Sequence, residues 1–253
     1  MNLTGNAGVG MQRHDLEATR RGRFFCCYVM NEENAVRTFL IGGSPAAQPP
    51  AHLAPAPGDL VIAADLGAAH ARAWGWPLDL LVGDLDSLSA GEAALVTAGG
   101  VPVITAPTAK DETDLELALA HALARGASEI IICAALGGRS DHLLANVLLL
   151  ARPEFTDLAV SLVDGRESIR LLRSGGSAPS HLALLGAKGD LLSLLPHSGD
   201  AVGVTTEGLQ YPLHDETLLL GQARGVSNVF TGARAGITLR RGLLLVIHTV
   251  TDG

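Results

Sequence analysis

Apolar residues in this chain come in short runs bounded by glycine or polar residues, and this constrains the fold more than any other feature. Leu60–Ala64, 130–136 and 243–247 are examples, rich in Leu, Ile and Val and without polar alternation. A strand wetted on one face alternates apolar with polar, so an unbroken short run belongs to a sheet covered on both faces. No run reaches the roughly 18–20 apolar residues of a membrane-spanning helix, although mean hydropathy is +0.29 and 47% of residues are hydrophobic. With only 17% charged residues the chain is not of the disordered type. A net charge of −8 argues against a general nucleic-acid binder or a partner of acidic membranes, which need a basic field. At 253 residues there is room for one large domain or two small ones.

Val36–Ile41 reads as a first strand, running into Gly42-Gly43-Ser44-Pro45 and a Pro/Ala-rich stretch over 45–57. Further strands are expected at Leu60–Ala64, 78–82, 101–105, 130–135 and 158–163. Between them, helices are expected at 68–74, 89–98 and 143–151, and after residue 114, where Leu115, Ala118, Leu119, Ala122 and Leu123 recur at helical spacing before Gly126. Strands alternating with helices predict βαβ units and a parallel sheet. After about Asp164 the texture changes. Apolar stretches at 168–172, 181–185, 190–195, 201–205, 236–239 and 243–250 are separated by Gly, Pro and Ser, which predicts a smaller all-β sandwich or barrel. The expected division is a loosely ordered extension over 1–30, an α/β domain over 31–160 and a β domain over 161–253. The extension carries Arg13, Arg20, Arg21 and Arg23 without the apolar core of a secretory signal, and Met11 or Met30 are alternative starts. Cys26, Cys27 and Cys133 form no Cys-x-x-Cys and are odd in number, so the expectation is a reducing, cytoplasmic setting without a disulfide framework or zinc site.

Polar residues fall at the ends of these strands. Asp65, then Asp84 and Asp86, then Asp111 and Asp114, then Arg139 and Asp141 each follow an apolar run. If the strands are parallel, all these loops lie along one carboxyl edge, where open α/β sheets bind ligands. Converging carboxylates repel unless a cation neutralises them. Hard oxygen ligands favour Mg²⁺, which takes its remaining ligands from water and substrate phosphates. Lys110 and Arg139 are placed to hold phosphate oxygens, and Lys110 is one of only two lysines, with Lys188. In Asp84-Leu85-Asp86 the i, i+2 spacing turns both carboxylates to the same side. Asp114 reads equally well as a helix N-cap, and Asp141 as the cap of the helix after Gly137-Gly138. The P-loop, the Gly-x-Ser-x-Gly elbow, His-Glu-x-x-His and Gly-x-Gly-x-x-Gly are all absent.

Taken together, Gly83-Asp84-Leu85-Asp86-Ser87, Lys110-Asp111-Glu112-Thr113-Asp114, Gly137-Gly138-Arg139-Ser140-Asp141-His142 with Asn146, Glu207-Gly208-Leu209-Gln210-Tyr211-Pro212-Leu213 and Arg224-Gly225-Val226-Ser227-Asn228 resemble the thiamine pyrophosphokinase family, in its bacterial form. The motifs keep the family's order from about residue 36 to the end. The resemblance implies an α/β parallel-sheet (Rossmann-like) catalytic domain followed by a smaller all-β sandwich domain. It also implies a homodimer whose thiamine sites lie between the catalytic domain of one subunit and the β domain of the other. The implied reaction moves the β,γ-pyrophosphoryl group of ATP to the hydroxyl of thiamine, giving thiamine diphosphate and AMP. By the same resemblance Asp84, Asp86 and Asp114 bind Mg²⁺, Asp111 assists the metal or the nucleophile, and Lys110 faces phosphate or thiamine. Asp65 matches an acidic position of the family. Arg139, Asp141, His142 and Asn146 belong to the nucleotide side, and Arg224, Ser227 and Asn228 to the thiamine side.

The chain departs from the family pattern in three places. The family's Ala-Asp-Gly-Gly-Ala-Asn is here Ala64-Asp65-Leu66-Gly67-Ala68-Ala69, so Leu66 replaces a glycine and Ala69 a polar residue. His70 beside it could substitute for the lost polar contact, but the favoured reading is an ordinary helix residue. The region 243–246 is aliphatic where eukaryotic members carry an aromatic that stacks on thiamine, so apolar contact is expected instead. Trp74 and Trp76 are expected in the core or at a helix end. Two other readings compete: a pyrophosphokinase for another alcohol such as a pterin, and a catalytically weak thiamine- or nucleotide-binding protein.

Overall fold

The computed structural model describes residues 36–83, 98–105, 112–176 and 178–251. The expected extension over 1–30 and all but the last residue of the expected helix over 89–98 lie outside them. Six strands come first: β1 (Val36–Ile41), β2 (Leu60–Ala64), β3 (Leu80–Val82), β4 (Val103–Ile104), β5 (Ala127–Cys133) and β6 (Ala159–Asp164). They lie in the order β4-β3-β2-β1-β5-β6, and every neighbouring pair is parallel. Their unbroken apolar runs follow from burial on both faces. Leu40, Ile62, Leu80, Val82, Ile130 and Ile132 enter one core cluster, while Phe39, Ile41, Val61, Leu81 and Ile131 enter the cluster on the other face.

Helix α1 (Gly67–Ala73) covers the second face with Ala68 and Ala71, small enough to bring it close to the sheet. Gly67 is required there, because a Cβ on it would stand 1.9 Å from the Ile41 carbonyl oxygen. Helix α2 (Asp114–Ala124) covers the first face with the expected Leu115, Ala118, Leu119 and Ala122. Helix α3 (Ser140–Leu149) begins three residues earlier than expected and has no fully buried residue. Trp74 and Trp76 pack edge-on at 5.0 Å between ring centroids, and Trp76 meets Phe39 at 5.3 Å.

Beyond β6 the chain turns at Gly165 into β7 (Glu167–Ser174), and the pairing becomes antiparallel. The remaining strands are β8 (Ser180–Leu185), β9 (Leu191–Glu207), β10 (Glu216–Leu218), β11 (Asn228–Val229), β12 (Arg234–Leu239) and β13 (Arg241–Thr249). The ladder continues β7-β13-β9-β12-β8, with β10 and β11 also paired to β9. The result is a mixed, strand-rich sheet, parallel on one side of β6 and antiparallel on the other.

The two strands expected at 190–195 and 201–205 are a single strand, β9. Pro196-His197-Ser198-Gly199 reads as a breaker in the sequence. In the fold, Ser198 and Gly199 take positive φ, and the register against β13 shifts opposite Gly242. A bulge of this kind bends a strand without ending it. The two halves of β9 therefore serve two ladders, one with β13 and one with β12. Leu192, Leu194, Val204, Phe230, Ile237 and Leu244 fill the core of this part.

Candidate active site

The parallel register places the carboxyl ends of β1 to β5 along one edge. Asp65, directly after β2, takes φ +44°, a left-handed conformation that Asp tolerates better than most residues, and its N–H donates to the Val82 carbonyl at 3.0 Å. Its Oδ1 is buried. A Cβ on Gly83, where φ is +148°, would stand 1.8 Å from that oxygen. The Asp65 carboxylate therefore rests on the backbone that opens Gly83-Asp84-Leu85-Asp86. Leu66 does not disturb this arrangement. It lies in the right-handed helical region (φ −57°) as the N-cap of α1, so the position needs no glycine, and the positive φ falls on Asp65 instead. Gly83→Ala is expected to displace the Asp65 carboxylate and to cost about 1–3 kcal/mol through backbone strain. Denaturant unfolding and a turnover assay check this, and wild-type values in both would refute the close approach.

Asp84, Asp86, Lys110 and Asp111 lie outside the described residues. Among the described residues no three His, Cys, Asp or Glu side chains come together to hold a metal. Of the candidate metal ligands, Asp114 is described. It is the first residue of α2 and not its cap. Thr113 is the cap, its hydroxyl accepting from Glu116 N–H at 3.2 Å while Glu116 Oε2 accepts from Thr113 N–H at 2.9 Å. Asp114, in the first turn, stands at the positive end of the helix dipole.

After β5, Ala134, Gly137 and Gly138 all take positive φ. Arg139 is the N-cap of α3 without a side-chain cap bond, which corrects the expectation that Asp141 caps. Asp141 instead pairs with Arg139 in a fork, at 2.6 Å (Nη2 to Oδ2) and 3.1 Å (Nε to Oδ1), and accepts from His142 N–H at 3.0 Å. The Arg139 hydrogen bond, helped by that N–H, holds the Asp141 carboxyl down at about 2. The two side chains are 74% and 64% exposed, so the pair adds little to stability and stays open to a ligand. His142 is exposed as well. Asn146 donates from Nδ2 to the Ala135 carbonyl at 2.8 Å, anchoring the loop from within the helix.

Arg224 and Ser227 lie in the connection between β10 and β11, and Asn228 opens β11, which pairs with β9. Arg224 pairs with Glu216 at 3.0 Å. Ser227 takes φ +58°, and its N–H donates to Ser193 Oγ at 3.0 Å. The Asn228 amide clamps Tyr211, accepting its N–H at 3.0 Å and donating to its carbonyl at 2.7 Å. Asn228 thus ties the Arg224–Asn228 motif to the Glu207–Leu213 motif. An open depression of about 360 Å³ lies beside this turn, lined by Leu195, Pro196, Gly221, Gln222, Ala223 and Leu245.

Two further residues belong to the edge. Ser44, in the loop after β1, donates from Oγ to the Leu136 carbonyl, and His70 of α1 bonds the Ser44 carbonyl at 3.0 Å. The signal for Ser44 was present, a polar residue after an apolar strand. For His70 the signal was its place beside Ala69, where the polar residue of the family pattern is missing.

Comparison with known proteins agrees with this layout. Family models described as "Thiamin pyrophosphokinase, catalytic domain" and "Thiamin pyrophosphokinase, vitamin B1 binding domain" match residues 56–162 and 181–244. A thiamine pyrophosphokinase of Bacillus subtilis (strain 168) is 29% identical over 167 residues, 66% of this chain and 76% of the relative. A crystal structure of the Bacillus subtilis thiamine pyrophosphokinase aligns with TM-score 0.75 at 27% identity, covering 86% of this chain and all of that one. A thiamin pyrophosphokinase family protein from Enterococcus faecalis aligns with TM-score 0.71 at 31% identity over 85% of this chain and all of that one. With both family models matched in series and whole relatives superposed, this chain belongs to the thiamine pyrophosphokinase family.

Proposed function

We propose that the chain transfers the β,γ-pyrophosphoryl group of ATP to the hydroxyl of thiamine in a Mg²⁺-dependent reaction, releasing thiamine diphosphate and AMP. The observation that carries the reading is the Asp65 carboxylate resting on Gly83, the residue that precedes Asp84-Leu85-Asp86 in the sequence. Asp65 and Asp114 supply hard oxygen donors at loops adjoining the Asp84-Leu85-Asp86 and Lys110-Asp111 motifs, and this donor chemistry fits Mg²⁺. Asp84, Asp86 and Asp114 are the proposed ligands. Mg²⁺ held there neutralises charge on the polyphosphate. Lys110, Arg139, Asp141, His142 and Asn146 hold or shape the nucleotide side, with Arg139 presenting a planar fork to phosphate oxygens. Asp111 serves the metal or the nucleophile. Pyrophosphoryl transfer depends mainly on alignment and charge neutralisation, which fixed loops on a parallel sheet provide.

Thiamine is assigned to the depression beside Arg224, Ser227 and Asn228, where Leu195, Pro196 and Leu245 offer apolar contact. Its volume suits a small ligand. The architecture read here is a Rossmann-like catalytic domain over 31–160 and a β-sandwich domain over 161–253. The chain acts as a cytoplasmic homodimer with its sites at the subunit interface. Leu144 and Leu148 on one face of α3, 59% and 57% exposed, and Leu220, 56% exposed, are apolar surface that a second copy would cover. Sedimentation as a lone 26.1 kDa species would overturn the dimer. Among the described residues no helix is long and apolar enough to cross a membrane.

The deciding assay combines protein, thiamine, ATP and Mg²⁺. The expected products are AMP and thiamine diphosphate in equal amounts. ADP with thiamine monophosphate would overturn pyrophosphoryl transfer. Turnover of a pterin alcohol in place of thiamine would reassign the acceptor, and thiamine binding without turnover would leave a binding protein.

A further inference from the structure

His70 departs from the ordinary helix residue that the sequence suggests. It sits in α1, and its Nε2 lies 3.0 Å from the Ser44 carbonyl oxygen. A carbonyl only accepts, so Nε2 carries the proton and donates. The ring is held in place by Trp74, stacked on it at 5.5 Å with 24° between planes, and Trp74 in turn packs on Trp76. Few side-chain conformations remain open to an imidazole fixed in this way.

Ser44 passes this restraint on. Its N–H donates to the Ala134 carbonyl at 2.9 Å and its Oγ donates to the Leu136 carbonyl, while Gly42 N–H donates to Cys133 at 2.8 Å. The loop after β1 is thereby laced to the loop after β5, residue by residue. The contact continues one step further: a Cβ on Gly138 would stand 2.7 Å from Pro45 Cδ and 3.6 Å from Ser44 Oγ. Arg139 is the next residue. His70 is the point at which α1, following the Asp65 loop, is bonded to this pair of loops. It adjoins Ala69, where the polar residue of the family pattern is missing.

We propose that His70 is a positioning residue which, acting through Ser44, fixes the Gly137-Gly138-Arg139 loop for the nucleotide. The proposal rests on the reading of Arg139 as nucleotide-binding. A loop released from such a bond samples more conformations, and the nucleotide must bear the cost of ordering it.

The test uses the full chain with His70→Ala, His70→Gln, Ser44→Ala and Arg139→Ala. It measures KM for ATP and for thiamine, kcat, and amide hydrogen exchange across residues 136–139. Loss of one such hydrogen bond predicts an ATP KM raised about fivefold in His70→Ala, with kcat and thiamine KM within about twofold of wild type and faster exchange at 136–139. His70→Gln, whose amide nitrogen reaches about as far as Nε2, restores both. The His70→Ala, Ser44→Ala double variant is no worse than either single one, because the two residues act in series. If His70→Ala does not fold, His70→Asn, one bond too short to reach Ser44, takes its place. Unchanged exchange in the folded variant overturns the proposal. So does an unchanged ATP KM when Arg139→Ala raises it. If Arg139→Ala itself leaves ATP KM unchanged, the nucleotide reading has failed. Exchange at 136–139 then decides the brace alone, faster exchange upholding it and unchanged exchange ending it.

Discussion

Asp84→Asn is expected to lower kcat at least about a hundredfold, because a metal-held charge is worth several kcal/mol in a transition state and each 1.4 kcal/mol is tenfold. Asparagine keeps the shape and one oxygen but removes the negative charge that binds a divalent cation. The Asp65 carboxylate occupies the space over Gly83, one residue before position 84. Since β3 ends at Val82, the substitution falls beyond the sheet and leaves the core intact. The melting temperature should therefore match wild type, and the Mg²⁺ concentration for half-maximal activity should rise. Full activity at ordinary Mg²⁺ would remove Asp84 from the metal site.

The second large effect concerns stability, and it lies away from the reacting groups. Asp190 and His248 are 1% and 2% exposed. Asp190 Oδ2 accepts from Ala187 N–H at 2.8 Å and His248 Nε2 at 3.0 Å, and Oδ1 accepts from Thr251 N–H at 3.0 Å. Phe230 stacks on the imidazole at 4.9 Å. One carboxylate thus ties together the turn before β9, the end of β13 and the residues that follow it. Asp190→Ala leaves three donors without an acceptor in a buried place, a loss of about 3–5 kcal/mol. Denaturant unfolding measures it directly, and a loss below about 1 kcal/mol would show that the donors find other partners.

The same pair predicts how stability responds to acid. Burial pushes the His248 imidazole below its ordinary 6.5, against the pull of Asp190. Burial alone would raise the Asp190 carboxyl, but the hydrogen bonds from Thr251, Ala187 and His248 reverse this and leave it below its ordinary 3.8. Both folded-state values are depressed, so in both cases the unfolded chain takes up protons first as pH falls. Stability from His248 is complete above its unfolded value and is lost below it, and stability from Asp190 follows at lower pH. Unfolding free energy should fall from about pH 7 to about pH 5, and the fall should shrink in His248→Gln. Equal slopes in the two proteins would remove His248 as the cause.

Much of the architecture was legible because burial on both faces leaves a direct mark on composition. The runs at β1, β2 and β5 allow no polar alternation, and the 3.6-residue spacing of Leu115, Ala118, Leu119 and Ala122 has one physical reading. The carboxyl-edge placement of Asp65, Asp114, Arg139 and Asp141 followed from strand order and parallel direction alone. Helix ends were harder to place. Asp114 and Thr113 are both good caps, and Ser140-Asp141 offers two more, so composition does not choose between neighbours; the hydrogen bond actually made does. The length of β9 was hidden for a related reason, since Pro196 to Gly199 suits a turn and a bulge equally well.

By itself, the sequence determined that this chain carries a buried parallel sheet with acidic loops at one edge, a β-rich second half, and the ordered motifs of a thiamine pyrophosphokinase. These properties are local, written in runs, spacings and motif order. Only the tertiary structure decided that the sheet continues through β6 and β7, that Leu66 needs no glycine because Asp65 takes the positive φ, and that His70 reaches Ser44. Each of these depends on segments far apart in the chain meeting at hydrogen-bond or van der Waals distance. The bond from His70 spans 26 residues and that from Asp190 to His248 spans 58, separations at which neither residue type nor local periodicity specifies a partner.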